Sequence, residues 1–166
     1  MRQLARRFLA VAVCASWAAS AHAGSLAPTR ASQLVTLSTY NATSCGGAGS
    51  QLVDRVEGSD GSNSTFSIPA GQVFVVTDVE MNVRTVAGTP VRATIQRYQG
   101  ATGKSFFIDN QYLTADANGF ARFTMNFSQG RVVDSGLGLC AYAVETNSFT
   151  FVVSNAVVHG FFARDN

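Results

Sequence analysis

The stretch "TDVEMNVR" carries the clearest chemical potential in the chain: Asp78, Glu80, Asn82 and Arg84 alternate with Val79, Met81 and Val83. Successive side chains of an extended chain point to opposite faces, so these four form one polar row with an apolar row behind it. Asp78 and Glu80 become same-face neighbours, with Cα atoms about 6.6 Å apart. A carboxyl separation of roughly 6.5–9.5 Å suits the acid and base of an inverting glycosidase. That mechanism needs the two groups on opposite sides of the bond, whereas neighbours on one strand approach it from the same side. The plainer expectation is a solvated face whose acids pair with Arg84, or with Arg92 and Arg97 on the next strand.

Other chemistries find less support. His22 lies in the leader described below. His159, in "NAVVHGFF", is flanked on its own side by Val157 and Phe161. It is expected to be a core or interface residue with one hydrogen bond. The chain has no G-x-S-x-G elbow and no H-E-x-x-H pair. The loops "EGSDGSN" (Glu57, Asp60, Asn63) and "DANG" (Asp116, Asn118, Gly119) offer oxygens for calcium without EF-hand spacing. The second is a sound hairpin turn in its own right. No catalytic set, metal site or cofactor motif emerges. Glycan stacking would fall to tyrosines, because the sole tryptophan, Trp17, is in the leader. Tyr98 and Tyr112, near strand ends, are the candidate aromatic contacts. Tyr40 is also available, whereas Tyr142 alternates with Cys140 and Val144 and is expected inside. The sequons at Asn41, Asn63 and Asn126 are read as polar loop or strand positions.

The first 23 residues read as an export signal. A basic start (Arg2, Arg6, Arg7) precedes an apolar run from Phe8 to Ala19, and Ala21-His22-Ala23 supplies the small residues of a cleavage site. The run is too short to span a bilayer, so no transmembrane segment is expected. Three of the twelve basic residues lie in it, leaving nine against ten acidic ones. A net charge near −1 lacks the concentrated positive field that nucleic acid would want.

Residues 24–32 read as a flexible lead-in and 33–166 as one domain. Strand-like runs are expected at Leu34–Tyr40, Gln51–Glu57, Thr65–Ile68, Gln72–Val86, Val91–Tyr98, Lys104–Leu113, Phe120–Ser128, Val132–Val133, Leu137–Val144, Phe149–Val153 and Ala156–Ala163. Glycine-bearing turns separate them, and no window keeps a helical apolar period. The fold class is all-β: a single-domain antiparallel β-sandwich, jelly-roll-like in preference to immunoglobulin-like. No tryptophan lies between the cysteines, which are also too distant in sequence for the immunoglobulin pair.

These features favour a secreted or periplasmic, non-enzymatic binding or surface-assembly module. Its partner would be a protein, a glycan or a second copy in a homo-oligomer. The alternative is a carbohydrate-binding or glycan-active protein that uses the Asp78/Glu80 face. Export also bears on the cysteines. Cys14 leaves with the leader, so Cys45 and Cys140 have only each other. Closing so long a loop stabilises a fold by roughly 4–5 kcal/mol in the chain-entropy model. Peptide mapping by mass spectrometry, before and after reduction, is expected to recover these two cysteines joined. Two free thiols in exported material would refute the pairing.

Overall fold

The computed structural model describes residues 28, 33–39, 45, 51–57 and 62–165. The leader at residues 1–23, nearly all of the lead-in, Tyr40, Asn41 and Asp60 lie outside the described residues. Among the described residues nine strands follow in order: β1 (Leu34–Thr39), β2 (Gln51–Glu57), β3 (Asn63–Thr65), β4 (Gln72–Arg84), β5 (Pro90–Gln99), β6 (Lys104–Thr114), β7 (Phe120–Val133), β8 (Gly138–Glu145) and β9 (Phe151–Arg164).

Two pairs of expected strands are each continuous. Gln129-Gly130 looks like a break, yet β7 runs through it. Ser154-Asn155 looks like another, yet Ser154 is only 3 % exposed within β9. The expected run at Thr65–Ile68 is strand only at its first residue. Phe66 instead packs edge-on to Phe74 at 5.0 Å and stacks on Phe162 at 6.1 Å. That aromatic contact holds it out of the ladder.

Every pairing is antiparallel, and hydrogen bonding runs in the order β6-β5-β8-β2-β1-β9-β4-β7, with β3 added beside β2. The expected pair of separate sheets is not clearly present. Gln51 and Leu52 of β2 pair with β8, while later residues of the same strand pair with β1. β9 turns the other corner: Phe151 and Val152 pair with β8, and the rest of the strand lies beside β4. Two strands shared in this way carry one sheet around into a nearly closed eight-strand barrel. The remaining seam lies between β6 and β7, where Gln111 Nε2 donates to the Thr124 carbonyl at 3.0 Å.

Alternation fills the interior. Leu37, Phe74, Met81, Ile95, Phe123, Met125 and Leu139 are each no more than 1 % exposed and belong to one apolar cluster. Burying a side chain of this size is worth about 1.5–3 kcal/mol. The apolar side faces in and the polar side out, the reverse of a lipid-facing barrel.

β4 does not run unbroken. Val76 pairs with Gly160 and Asp78 with His159, leaving Thr77 as an extra residue. Before this bulge the inward residues are Phe74 and Val76; after it they are Val79, Met81 and Val83. The inward parity therefore switches at Thr77. Val73 and Val75 face out, forming a small second cluster with Phe161.

The Cys45–Cys140 disulfide is formed, with Cα atoms 6.1 Å apart. Cys140 faces away from the interior cluster, as do Tyr142 and Val144, so the interior placement expected for Tyr142 is corrected. β8 is apolar on both faces. Its Leu139, Ala141 and Ala143 fill the barrel, while the disulfide brings Cys45 onto the outside. The Tyr142 ring packs near Phe151 at 5.7 Å.

The face assignment is testable at two adjacent residues. Val79→Asp is expected to cost more than about 3 kcal/mol, because it places an unpaired charge in the core. Glu80→Ala is expected to stay within about 0.5 kcal/mol. Equal tolerance in chemical denaturation would show that the faces are reversed.

Candidate functional site

The polar row stands on the outer side of β4. Glu80, Asn82 and Arg84 are exposed and Asp78 is half-buried, while Val79, Met81 and Val83 lie behind them. β4 is an interior strand of the sheet, so partners flank the row on both sides. Asp78 lies between Asn126 and His159, Glu80 between Thr124 and Val157, and Asn82 between Arg122 and Asn155. Arg84 lies over the Phe120 ring, 5.8 Å from its centroid.

The ion pairs expected from β5 do not form. β5 lies between β6 and β8, far along the sheet order from β4. Arg97 instead reaches Asp134 at 3.8 Å. Asp78 faces His159, with Oδ1 3.9 Å from Nε2. His159 is an outer-face residue with a side chain about 40 % exposed, which corrects the core setting expected as one of its two options. Its Nδ1 lies 3.1 Å from the Thr36 hydroxyl. The Thr77 hydroxyl lies 3.0 Å from Asp78 Oδ2 and 3.1 Å from the His159 carbonyl oxygen, so its one proton is shared between two acceptors.

The bulge assembles this Thr36–His159–Asp78–Thr77 group. Without the extra residue, Asp78 would fall on the same face as Phe74 and Val76 and point inward. On its other side β4 meets a larger irregularity. Val76 pairs with Arg131 and Asp78 with Asn126, so residues 127–130 of β7 stand opposite Thr77 alone. Gly130 has φ +69°, and a side-chain carbon there would collide with Val75. The excursion leaves a depression of about 240 Å³ lined by Pro28, Val75, Thr77, Phe127, Gly130 and Phe161, among others. An apolar hollow thus borders a half-buried acid–imidazole pair.

Chemically the group is short of a hydrolase. A 3.9 Å separation is an ion-pair distance rather than a hydrogen bond, so the carboxylate does not hold the imidazole as an orienting third residue would. Asp78 and Glu80 lie side by side and do not face each other across a cleft.

Tyr98 and Tyr112 are on β5 and β6, with their directions set by register. Both share the outer face of β5 with Arg92, because Tyr112 is opposite Arg92 and Tyr98 is three same-face positions away. Tyr112 is 62 % exposed and Tyr98 half-buried. Sequence reasoning missed Thr36, Thr77 and the hollow. Only the doubly apolar first half of β4 hinted at them.

The described residues of the two calcium loops do other work. Asp116 Oδ1 accepts from the Asn118 and Phe120 N–H groups at 2.8 and 2.9 Å, closing the turn into β7. Gly119 (φ +81°) completes that turn, where any side chain would strike the Thr85 carbonyl. Glu57 accepts from Ser38 at 2.5 Å and lies 3.4 Å from Arg55. Among the described residues, no group of three or more His, Cys, Asp or Glu is placed to hold a metal ion. Glu145 gathers the Thr85 and Ser148 hydroxyls at 2.6 and 2.8 Å, which hold its carboxyl below the ordinary value.

The sequence matches no family model and no curated protein.

The Phe120 N–H, then the Asn118 N–H, hold the Asp116 carboxyl below its ordinary value. Folding therefore favours the ionised form. The stabilisation is full above the ordinary carboxylate range and is lost as pH falls through the lowered pKa. Asp116→Ala is expected to lower the melting temperature at neutral pH, with the deficit shrinking below about pH 4. A deficit that is constant across this range would exclude the ionised turn as its cause.

Proposed function

We propose that the protein is an exported, non-enzymatic binding or surface-assembly module that acts through the outer face of its barrel. The observation that carries this reading is the row from Asp78 to Arg84. It projects acid, amide and guanidinium groups from a strand paired on both sides and backed by core residues. Groups fixed on so rigid a support recognise a partner with little ordering cost. The hollow at Thr77 adds an apolar contact at one end of the row.

The strand order also supports a jelly-roll reading. Its halves β1-β9-β4-β7 and β2-β8-β5-β6 are the two four-stranded layers such a roll would have, joined where β1 meets β2. That architecture hosts many functions, so the functional argument rests on the surface. Export rests on the leader alone.

A glycan array and a hydrolase panel applied to residues 24–166 separate binding from turnover. Retention of a ligand without turnover is expected. Loss of that retention in Glu80→Ala, at an unchanged melting temperature, would tie it to the row. Turnover that disappears in Asp78→Asn or Glu80→Gln would overturn the proposal in favour of a glycan-active enzyme.

A further inference from the structure

The first half of β4 and the second half of β9 place apolar side chains on the outside of the barrel. Val73, Val75 and Phe161 belong to the outer cluster, yet they are only 4 %, 1 % and 6 % exposed. Outward residues on a sheet are that dry only when another part of the chain lies over them. One such part is the excursion of β7, where Gly130 comes against Val75. A second is marked by Pro28, the one described residue of the lead-in, which lines the hollow together with Val75, Phe127 and Phe161.

Register shows how the lead-in gets there. Leu34 at the start of β1 stands opposite Phe161 on β9, and Phe161 stands opposite Val75 on β4. These three form one row running across the sheet, and Pro28 meets the same row at its far end, where β4 and β7 part. From β1 to that parting is two to three interstrand steps, about 10–14 Å. Six residues separate Pro28 from Leu34, and an extended chain of that length reaches about 20 Å. Crossing the outer face of β9 and β4 is therefore within its reach.

The sequence before Pro28 suits the hollow it arrives at. In "GSLAPTRAS", residues 24–32, Leu26 is the only large aliphatic side chain. Proline disfavours the helical region for the residue before it, so Ala27 is held to extended backbone. Side chains two apart on extended backbone point the same way. Leu26 thus points to the side on which Pro28 meets the hollow. We propose that residues 24–28 form a strap seated in the Thr77 hollow, with Leu26 filling it against Val75, Phe127 and Phe161. The strap occupies the apolar contact offered above to a partner, so a ligand that uses the hollow must displace it. The inference rests on the export reading for the free start at Gly24, and not on what the polar row binds.

The leader carries the sole tryptophan, so residues 24–166 have none and an introduced one reports alone. Leu26→Trp is expected to emit well to the blue of Ser25→Trp, whose side chain points the other way. A nitroxide attached at Gln129→Cys, on the wall of the hollow, is expected to quench most of the Leu26→Trp emission. A nitroxide at Lys104→Cys, at the start of β6, is expected to leave it unchanged. Because the indole is larger than the leucine it replaces, Leu26→Asp supplies a second measurement. It is expected to lower the melting temperature by several degrees, with Ser25→Asp close to the parent. Equal emission at positions 25 and 26, no quenching from Gln129→Cys, or a Leu26→Asp protein as stable as the parent would each overturn the strap. Quenching on mixing chains that carry the two changes separately would also overturn it, pointing to exchange of lead-ins between copies. N-terminal sequencing of exported material tests the cleavage by itself, so its failure is told apart from failure of the strap.

Discussion

One residue too many in β4 governs the rest. Side chains alternate with a period of two, so a regular strand would keep Phe74, Val76, Asp78 and Glu80 on a single face. Two of those residues belong in the core and two cannot enter it unpaired. Thr77 resolves the conflict by adding a residue that β9 does not match. Its hydroxyl then lies against the His159 carbonyl and the Asp78 carboxylate, so the bulge carries its own hydrogen bonds. β9 keeps its regular period past this point. Gly160 allows it, because a side-chain carbon there would strike the Phe74 ring and the Val75 carbonyl. The irregularity is thus confined to β4 and β7, and the hollow lies where they part.

Much of the fold was legible because composition and period both act locally. The all-β class, six strand positions to within a residue or two, and the cysteine pair followed from alternation and export chemistry. The misreadings share a cause. Ser154-Asn155 is a poor strand former by type, but pairing with β4 holds it extended, whereas Gln129-Gly130 lies in the unpaired excursion through which β7 continues. Sequence resolved the outward direction of Glu80 and Arg84 because Val79, Met81 and Val83 alternate with them. It could not show that His159 would meet Asp78 and Thr36, since that depends on the register of three strands distant in the chain. Arg92 was misassigned for the same reason: neighbours in sequence were assumed to be neighbours in the sheet.

The two corner strands explain why the barrel resists division into two layers. A sandwich leaves four edges to be protected, whereas sharing β2 and β9 between both halves leaves the β6 and β7 edges and that of the short β3. The disulfide supports the β2 corner. Cys140 is the residue on β8 that pairs with Leu52, so Cys45 is fixed beside one of the two shortest ladders in the sheet. A two-residue ladder contributes little by itself, and a covalent tie beside it keeps the corner from opening.

The cost of this closure falls on β6, the outermost strand, which bears Phe106, Phe107, Tyr112 and Leu113 with 43–63 % exposure. Edge strands usually carry charge or proline to discourage pairing with other chains. β6 has one charged residue at its start and one near its bulge, and otherwise offers rings. Phe106 is partly accounted for by Arg97, whose guanidinium lies 5.9 Å from its ring centroid. Among the described residues Phe107 and Tyr112 have no such partner, and they face the same side as the unsatisfied Arg92 Nε and Thr94 hydroxyl. Exposed rings alone would mark a sticky edge, and buried unpaired polar atoms alone a local packing fault. The rings stand on the open side of that face, while the polar atoms beneath lie within the protein's own packing.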